Sequence, residues 1–293
     1  MRIELATPFG FCFGVRRAIQ MVEQAVADSG EISSLGSIVH NPKVVGRLGE
    51  RGVRVVQHFD EAAGTVAFTA HGAGPATYEE AAKRSLAVVD TTCPIVAKAQ
   101  RAATRLTRAG FRVIIYGDEM HPEVRGVLAW TRGKGVAILD PQVEIDIPGR
   151  KVALLSQTTK SQQAFASFVG EFLAANIGRI NEVRIVNTTC PETEDRYEAA
   201  RRLAMNADLM IVVGGRNSAN TCKLADTCAA AGTKTYHVES AEDIDPAWIE
   251  GREVVGVTAG ASTPDECVDE VITHLRQLDR RRNGRATRAR SDR

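Results

Sequence analysis

Two five-residue stretches of this chain nearly repeat, "DTTCP" at 90–94 and "NTTCP" at 187–191. A cysteine set twice in one frame points to a shared task, because burial as a small hydrophobe makes no such demand on its neighbours. Cys12, in "TPFGFC", is the third member. Counting 28 positions onward from Cys12, Cys93 and Cys190 reaches His40, His121 and Ser218, the last followed closely by Asn220. Each third then supplies a second polar loop, "TAHGAG" with His71, "LSQTTKS" with Thr158 and "VTAGAST" with Ser262. Three thiolates that meet bind either zinc with a fourth ligand or an iron–sulfur cluster. A [4Fe–4S] cluster on three cysteines keeps one iron for substrate, as Lewis acid and electron relay. Histidines, hydroxyls, an amide and Gly-rich turns all donate to phosphate oxygens and would form an anion cradle. Glu123 is the carboxylate of the set and could deliver a proton to a leaving group.

The elements that must carry these residues are legible around them. "SLAVVDTT" and "NEVRIVNTT" are β-rich runs ahead of Cys93 and Cys190. After Cys93, Ile95, Ala99, Ala102, Ala103 and Leu106 recur at helical spacing and Gly110 stops them. After Cys190 a helix opens on Pro191 with acidic residues in its first turns. Both cysteines therefore stand at a helix amino terminus, where the dipole favours the thiolate. "RIELA" and the stripe Val15, Ala18, Ile19, Val22 and Val26 give Cys12 the same strand–turn–helix setting, with Gly30 as the stop. Alternating strands and helices predict parallel sheets, whose ligands bind beyond the carboxyl ends of the strands. Three such units predict three small α/β domains about one pseudo-threefold axis.

Composition sets the frame. The chain has 293 residues, 44% of them hydrophobic and 25% charged, with net charge +1. It has no apolar run near the ~20 residues of a membrane span, and no signal-like start, so a cytoplasmic location is expected. The last fourteen residues hold seven Arg against one Asp, which leaves the body about −5. This terminus reads as a disordered solvated end with no assigned nucleic-acid role. Six cysteines in such a chain are not a disulfide framework, and no C-x-x-C occurs. Cys222, Cys228 and Cys267 lie in helical patterns and read as packing residues, while His58, His237 and His274 fall outside the repeated loops and read as surface or structural.

Taken together the motifs resemble those of the LytB family, over essentially the whole chain to about residue 277. They are "GFCFGVRRA", "VHNPKVV", "AHG", "DTTCPIVAK", "HPEVRG", "SQTT", "NTTC", "NSANT" and "VTAGASTPD", in the family's order. The resemblance implies a trefoil of α/β domains around one [4Fe–4S] cluster on Cys12, Cys93 and Cys190. The expected divisions are 13–93, 94–190 and 1–12 with 191–278, followed by the tail from 279 to 293. It also implies diphosphate contacts from His40, His71, His121, Ser218, Asn220 and Ser262, and a proton relay of Glu123 and Thr158. The implied reaction is two-electron, two-proton removal of the allylic hydroxyl of (E)-4-hydroxy-3-methylbut-2-enyl diphosphate. It gives isopentenyl and dimethylallyl diphosphate, the last step of the methylerythritol phosphate route, with ferredoxin or flavodoxin as electron donor.

Several positions depart from the family pattern. "PETEDRYEA" follows Cys190 in place of a segment like "ATxxRQ", and Ala219 stands where a second serine is usual. Gly74 replaces a serine in "HGAG", and Phe13 replaces a small residue beside Cys12. The residues also admit a divergent paralogue acting on another anionic substrate, a mononuclear metal hydrolase, or a non-catalytic cluster sensor.

Overall fold

The structure is a computed structural model that describes the backbone of residues 1–291 and the side chains of residues 1–282. Its strands form three four-stranded sheets, all parallel, with one shared order. The chain opens with β1 (Arg2–Leu5) and α1 (Phe13–Ser29). In the first sheet β2 (Ile32–Leu35) lies between β3 (Val53–Val56) and β4 (Thr65–Phe68), with β5 (Ala87–Asp90) outside β4. Helices α2 (Pro42–Glu50) and α3 (Pro75–Lys83) make its crossovers. The second sheet repeats the pattern. β6 (Arg112–Tyr116) lies between β7 (Gly135–Ile138) and β8 (Lys151–Ser156), with β9 (Glu182–Val186) outside β8; α4 (Pro94–Arg108), α5 (Pro122–Ala129) and α6 (Gln162–Asn176) connect them.

In the third sheet β10 (Leu209–Val213) lies between β11 (Thr235–Val238) and β12 (Val254–Ala259), and the place of β5 and β9 is taken by β1. Arg2 aligns with Val254 and Leu5 with Val257. Its helices are α7 (Pro191–Ala204), α8 (Ala219–Ala230) and α9 (Asp265–Ser291). The strand that leads into each cysteine is thus the same strand of each sheet, and the third sheet borrows it from the chain's opening residues.

The central strands β6, β8 and β10 carry apolar runs because both faces are covered. In β10, Leu209, Ile211 and Val213 pack beneath Val268, Val271 and Leu275 of α9, while Met210 and Val212 face Tyr197, Ala200 and Leu224 of α7 and α8. In β6 and β8, Val113, Ile115, Ala153 and Leu155 meet α4 and α5, while Ile114, Val152 and Leu154 meet the phenylalanines of α6. Side chains alternate across a strand, so each five-residue run feeds two cores.

The chain is organised as two compact units, one of residues Phe13–Val39 and Lys43–Pro191 with the first two sheets, the other of Met1–Cys12, His40–Pro42 and the residues from Glu192 on, with the third. The expected tail begins at residue 279, and α9 runs through it to Ser291, with Asp279 and Arg282 in contacts. The Met1 ammonium lies 3.2 Å from Asp279 Oδ2, and Arg282 Nη1 donates to the Ile249 carbonyl at 3.2 Å. Arginine is a good helix former, and the apolar anchor of Val268, Val271 and Leu275 lets the helix run on. Residues 292 and 293 lie outside the described residues. Among the described residues no helix is long and apolar enough to cross a membrane.

Candidate active site

The three polar stations of each third follow equivalent strands. His40, His121 and Ser218 lie after β2, β6 and β10, each at the approach to the next helix. His71, Thr158 and Ser262 lie after β4, β8 and β12. A recurring hydrogen bond ties each cysteine to the second station. The N–H of Cys93 donates to Ala70 O at 3.0 Å, that of Cys190 to Thr158 O at 2.9 Å, and that of Cys12 to Ala261 O at 2.9 Å. Sequence spacing could not show this bond, which involves only backbone.

The repeated "DTTC" and "NTTC" have a local cause. Asp90 Oδ1 accepts from the N–H and hydroxyl of Thr92, and Asn187 Oδ1 accepts from those of Thr189 at 3.0 and 2.7 Å. Thr91 and Thr188 each donate a hydroxyl to the last carbonyl of the neighbouring strand, Phe68 O and Ser156 O. An Asx residue and two threonines thus build the turn that aims the thiol.

In the unit of the first two sheets the structure gathers Cys93, Cys190, His71, His121, Glu123 and Thr158. Glu123 is 3% exposed, and Thr158 gives it both its donors, N–H to Oε1 and Oγ1–H to Oε2, each at 2.7 Å. Burial pushes the Glu123 carboxyl above the ordinary range, and the two Thr158 donors pull it back only in part. His121 caps α5, its Nδ1 accepting from Glu123 N–H at 3.2 Å, so its neutral ring carries the proton on Nε2. The rings of His71 and His121 lie 5.8 Å apart at 83°. Gly126 permits this approach, since a Cβ there would stand 2.9 Å from the Gly72 carbonyl.

Cys93 caps α4, as its helix-terminal place predicts, yet its thiol is pushed up rather than down. Burial is the main cause. The N–H groups of Ile95 and Val96 oppose it, and the charges of Cys190 and Glu123 add to it. That coupling places the two thiols and the carboxyl within electrostatic reach of one another. Such a group keeps its proton until a cation arrives, which is how metal ligands couple binding to proton release. Cys12, Cys93 and Cys190 are not in disulfides and are partly exposed, whereas Cys228 and Cys267 are buried in the core, as expected of packing residues.

In the unit of the third sheet, Ser218 caps α8 by accepting from Thr221 N–H at 3.3 Å, which leaves its hydroxyl proton to spend elsewhere. Asn220 follows, and Ser262 donates to the His40 carbonyl at 3.4 Å. His40 is partly buried, which holds its imidazole below the usual value and keeps it neutral. Gly260 lets the β12 loop close on α8, since a Cβ there would meet Thr221 Oγ1 at 2.0 Å.

Two residues of this unit were not singled out by the sequence reading. Arg196, 1% exposed on α7, donates to Ala259 O at 2.9 Å, Gly10 O at 3.1 Å and Pro8 O at 3.3 Å, and so clamps the loops of Cys12 and Ser262. The signal was available, because Arg196 interrupts the stripe of Thr193, Tyr197, Ala200 and Ala204 on the buried side of α7. Tyr197 is the second. Of the departures from the family pattern, Gly74 has a steric reason, since a Cβ there would stand 2.5 Å from Ala129 Cβ. Phe13 is 60% exposed at the start of α1, and nothing in the structure explains the choice. His58 is exposed, and His237 Nε2 is spent on Gly214 O at 2.8 Å.

A family model described as LytB protein matches residues 3–276. The chain belongs to the LytB family. Among curated LytB relatives, the 4-hydroxy-3-methylbut-2-enyl diphosphate reductase of Dehalococcoides mccartyi is 44% identical over 281 residues, covering 95% of this chain and 99% of its own. That of Geobacter sulfurreducens is 42% identical over 286 residues, covering 97% and 100%. A solved structure described as (E)-4-hydroxy-3-methyl-but-2-enyl diphosphate reductase, the terminal enzyme of the non-mevalonate pathway, aligns at a TM-score of 0.70. It shares 34% identity and covers 94% of this chain and 100% of that one. The Plasmodium falciparum E-1-hydroxy-2-methyl-but-2-enyl-4-diphosphate reductase, 24% identical, has the same fold at a TM-score of 0.86, covering 93% and 87%.

Proposed function

We propose that this LytB chain is a 4-hydroxy-3-methylbut-2-enyl diphosphate reductase that takes the allylic hydroxyl off its substrate as water, with two electrons and two protons. The products are isopentenyl and dimethylallyl diphosphate. The observation that carries the reading is the buried Glu123–Thr158 pair, a carboxyl whose pKa burial raises, joined to a hydroxyl that can pass a proton on. Its setting among thiols and histidines suits a reductive dehydroxylation better than a hydrolysis, which needs no electron carrier.

Cys12, Cys93 and Cys190 are the residues that would hold the [4Fe–4S] cluster, one from each repeat. Their fit rests on partly exposed thiols outside any disulfide, each held by a backbone bond to the neighbouring polar loop, and on the charge of Cys190 reaching the Cys93 thiol. When bound, the cluster supplies the electrons and a Lewis-acidic iron at the corner without a cysteine. Once Glu123 is protonated the Thr158 bond turns round: Glu123 donates to Thr158 Oγ1, which passes its own proton to the departing hydroxyl, so water leaves rather than hydroxide. His40, His71, His121, Ser218, Asn220 and Ser262 bind the diphosphate oxygens and orient the carbon chain. Ferredoxin or flavodoxin would deliver the electrons, and the cytoplasm is the expected setting.

Anaerobic purification and assay test this reading. A brown protein with about four iron and four sulfide per chain is expected, turning over the diphosphate substrate with a chemical reductant. Glu123→Gln should keep the colour and lose ~10²-fold or more in kcat. Colourless protein with stoichiometric zinc, or full turnover by Glu123→Gln, would overturn it.

A further inference from the structure

Tyr197, 4% exposed on α7, donates its hydroxyl to Asn220 Oδ1 at 3.1 Å, and Asn220 is itself only 7% exposed. The other end of that carboxamide is unspent. Asn220 Nδ2 is buried and meets no acceptor among the described residues. Buried donors without a partner are rare in folded proteins and call for an explanation. Here the surroundings supply one. Asn220 stands in the first turn of α8, whose amino end is the positive end of its dipole, and the neighbouring Ser218 hydroxyl also holds an unspent proton. Two donors at one helix start suit an anionic oxygen.

An asparagine side chain can present either end, because a half-turn about its last bond exchanges a donor for an acceptor. With Nδ2 outward it attracts a phosphate oxygen. With Oδ1 outward it repels one. The side-chain contact that chooses is the Tyr197 phenol. A phenol oxygen can accept as well, but the turned amide would then leave the phenol proton without Oδ1 and aim an acceptor at the anion. Tyr197 lies in the stretch where the chain departs from its family's pattern.

We propose that Tyr197 is a positioning residue, which fixes the Asn220 carboxamide with Nδ2 as the presented donor and so sets the affinity for the diphosphate group. The inference rests on the reading of Asn220 as a diphosphate contact and adds the residue that orients it. Tyr197 touches no reacting atom. Its effect should therefore appear in binding more than in turnover.

The test uses the full, cluster-loaded chain under anaerobic conditions, with inorganic diphosphate as the calorimetric probe and the diphosphate substrate in steady-state assays. Tyr197→Phe should weaken diphosphate binding about tenfold. KM should rise by a similar factor and kcat should fall by less. Tyr197→Gln, whose Nε2 can donate to the same Oδ1, should recover most of the loss. Asn220→Ala should weaken binding at least as much as Tyr197→Phe, and adding Tyr197→Phe to it should cost nothing more. If Asn220→Ala does not fold, Asn220→Asp takes its place, since it keeps the acceptor for Tyr197 and lacks the donor. The proposal is overturned if Tyr197→Phe binds diphosphate like wild type, or if its loss persists in the Asn220 variant. A wild-type chain that neither binds diphosphate nor turns over substrate would instead remove the functional reading itself, and this inference with it.

Discussion

Glu123 is buried, and its carboxyl must be protonated to serve as donor. Its raised pKa keeps it so at pH values where an exposed glutamate is ionised. The rate should fall as pH rises through that raised value. Thr158→Val removes one of the two donors that favour the ionised form. The alkaline limb of the pH–rate profile should then move to higher pH while kcat drops ~10²-fold or more, since the relay hydroxyl is gone. A limb that stays in place would assign the titration to another group. Stability follows the same sign. Because the folded pKa lies above the unfolded one, the contribution of Glu123 is fully present below the ordinary carboxylate pKa and is lost as pH rises through the folded value. Glu123→Gln should therefore gain on wild type in melting temperature as pH increases across that window.

At the scale of elements, the site depends on turns that face no substrate. Asn187→Ala deletes two hydrogen bonds beside a cysteine and should cost ~1–2 kcal/mol in melts; Asp90→Ala deletes the equivalent two and a third from the Tyr78 hydroxyl, and should cost more. Iron should be lost faster to a chelator from both variants, and an unchanged loss rate would mean the turn does not hold the thiol. Arg196→Met leaves three carbonyls without their donor and should cost ~3 kcal/mol or more. These elements explain what could be read from sequence. Strands and helices announced themselves by period, and the 28-residue interval fixed equivalent loops because equivalent strands and helices have similar lengths. Arg196 and Tyr197 were less legible, because a polar residue on a helix signals nothing until the face it occupies is known. Sheet order was illegible for the same reason, since parallel pairing joins residues that no local pattern connects.

For the whole molecule, the repeat was clear. A helix anchored by Val268, Val271 and Leu275 extends beyond its own apolar stripe. A chain ending at Arg282 keeps the Asp279 and Arg282 contacts, and its kcat, KM and melting temperature should match those of the full chain. A fall in melting temperature would show that the arginine-rich end contributes to the fold. The borrowed strand has a temporal consequence. β1 is made about 250 residues before its partner β12. At synthesis rates of ~5–20 residues per second, that strand waits roughly 12–50 s for its neighbour. Cys12 travels with it. Of the three thiols it is made first, yet the carbonyl its N–H meets, Ala261 O, is made after those that Cys93 and Cys190 meet, so its native setting is the last of the three to be completed.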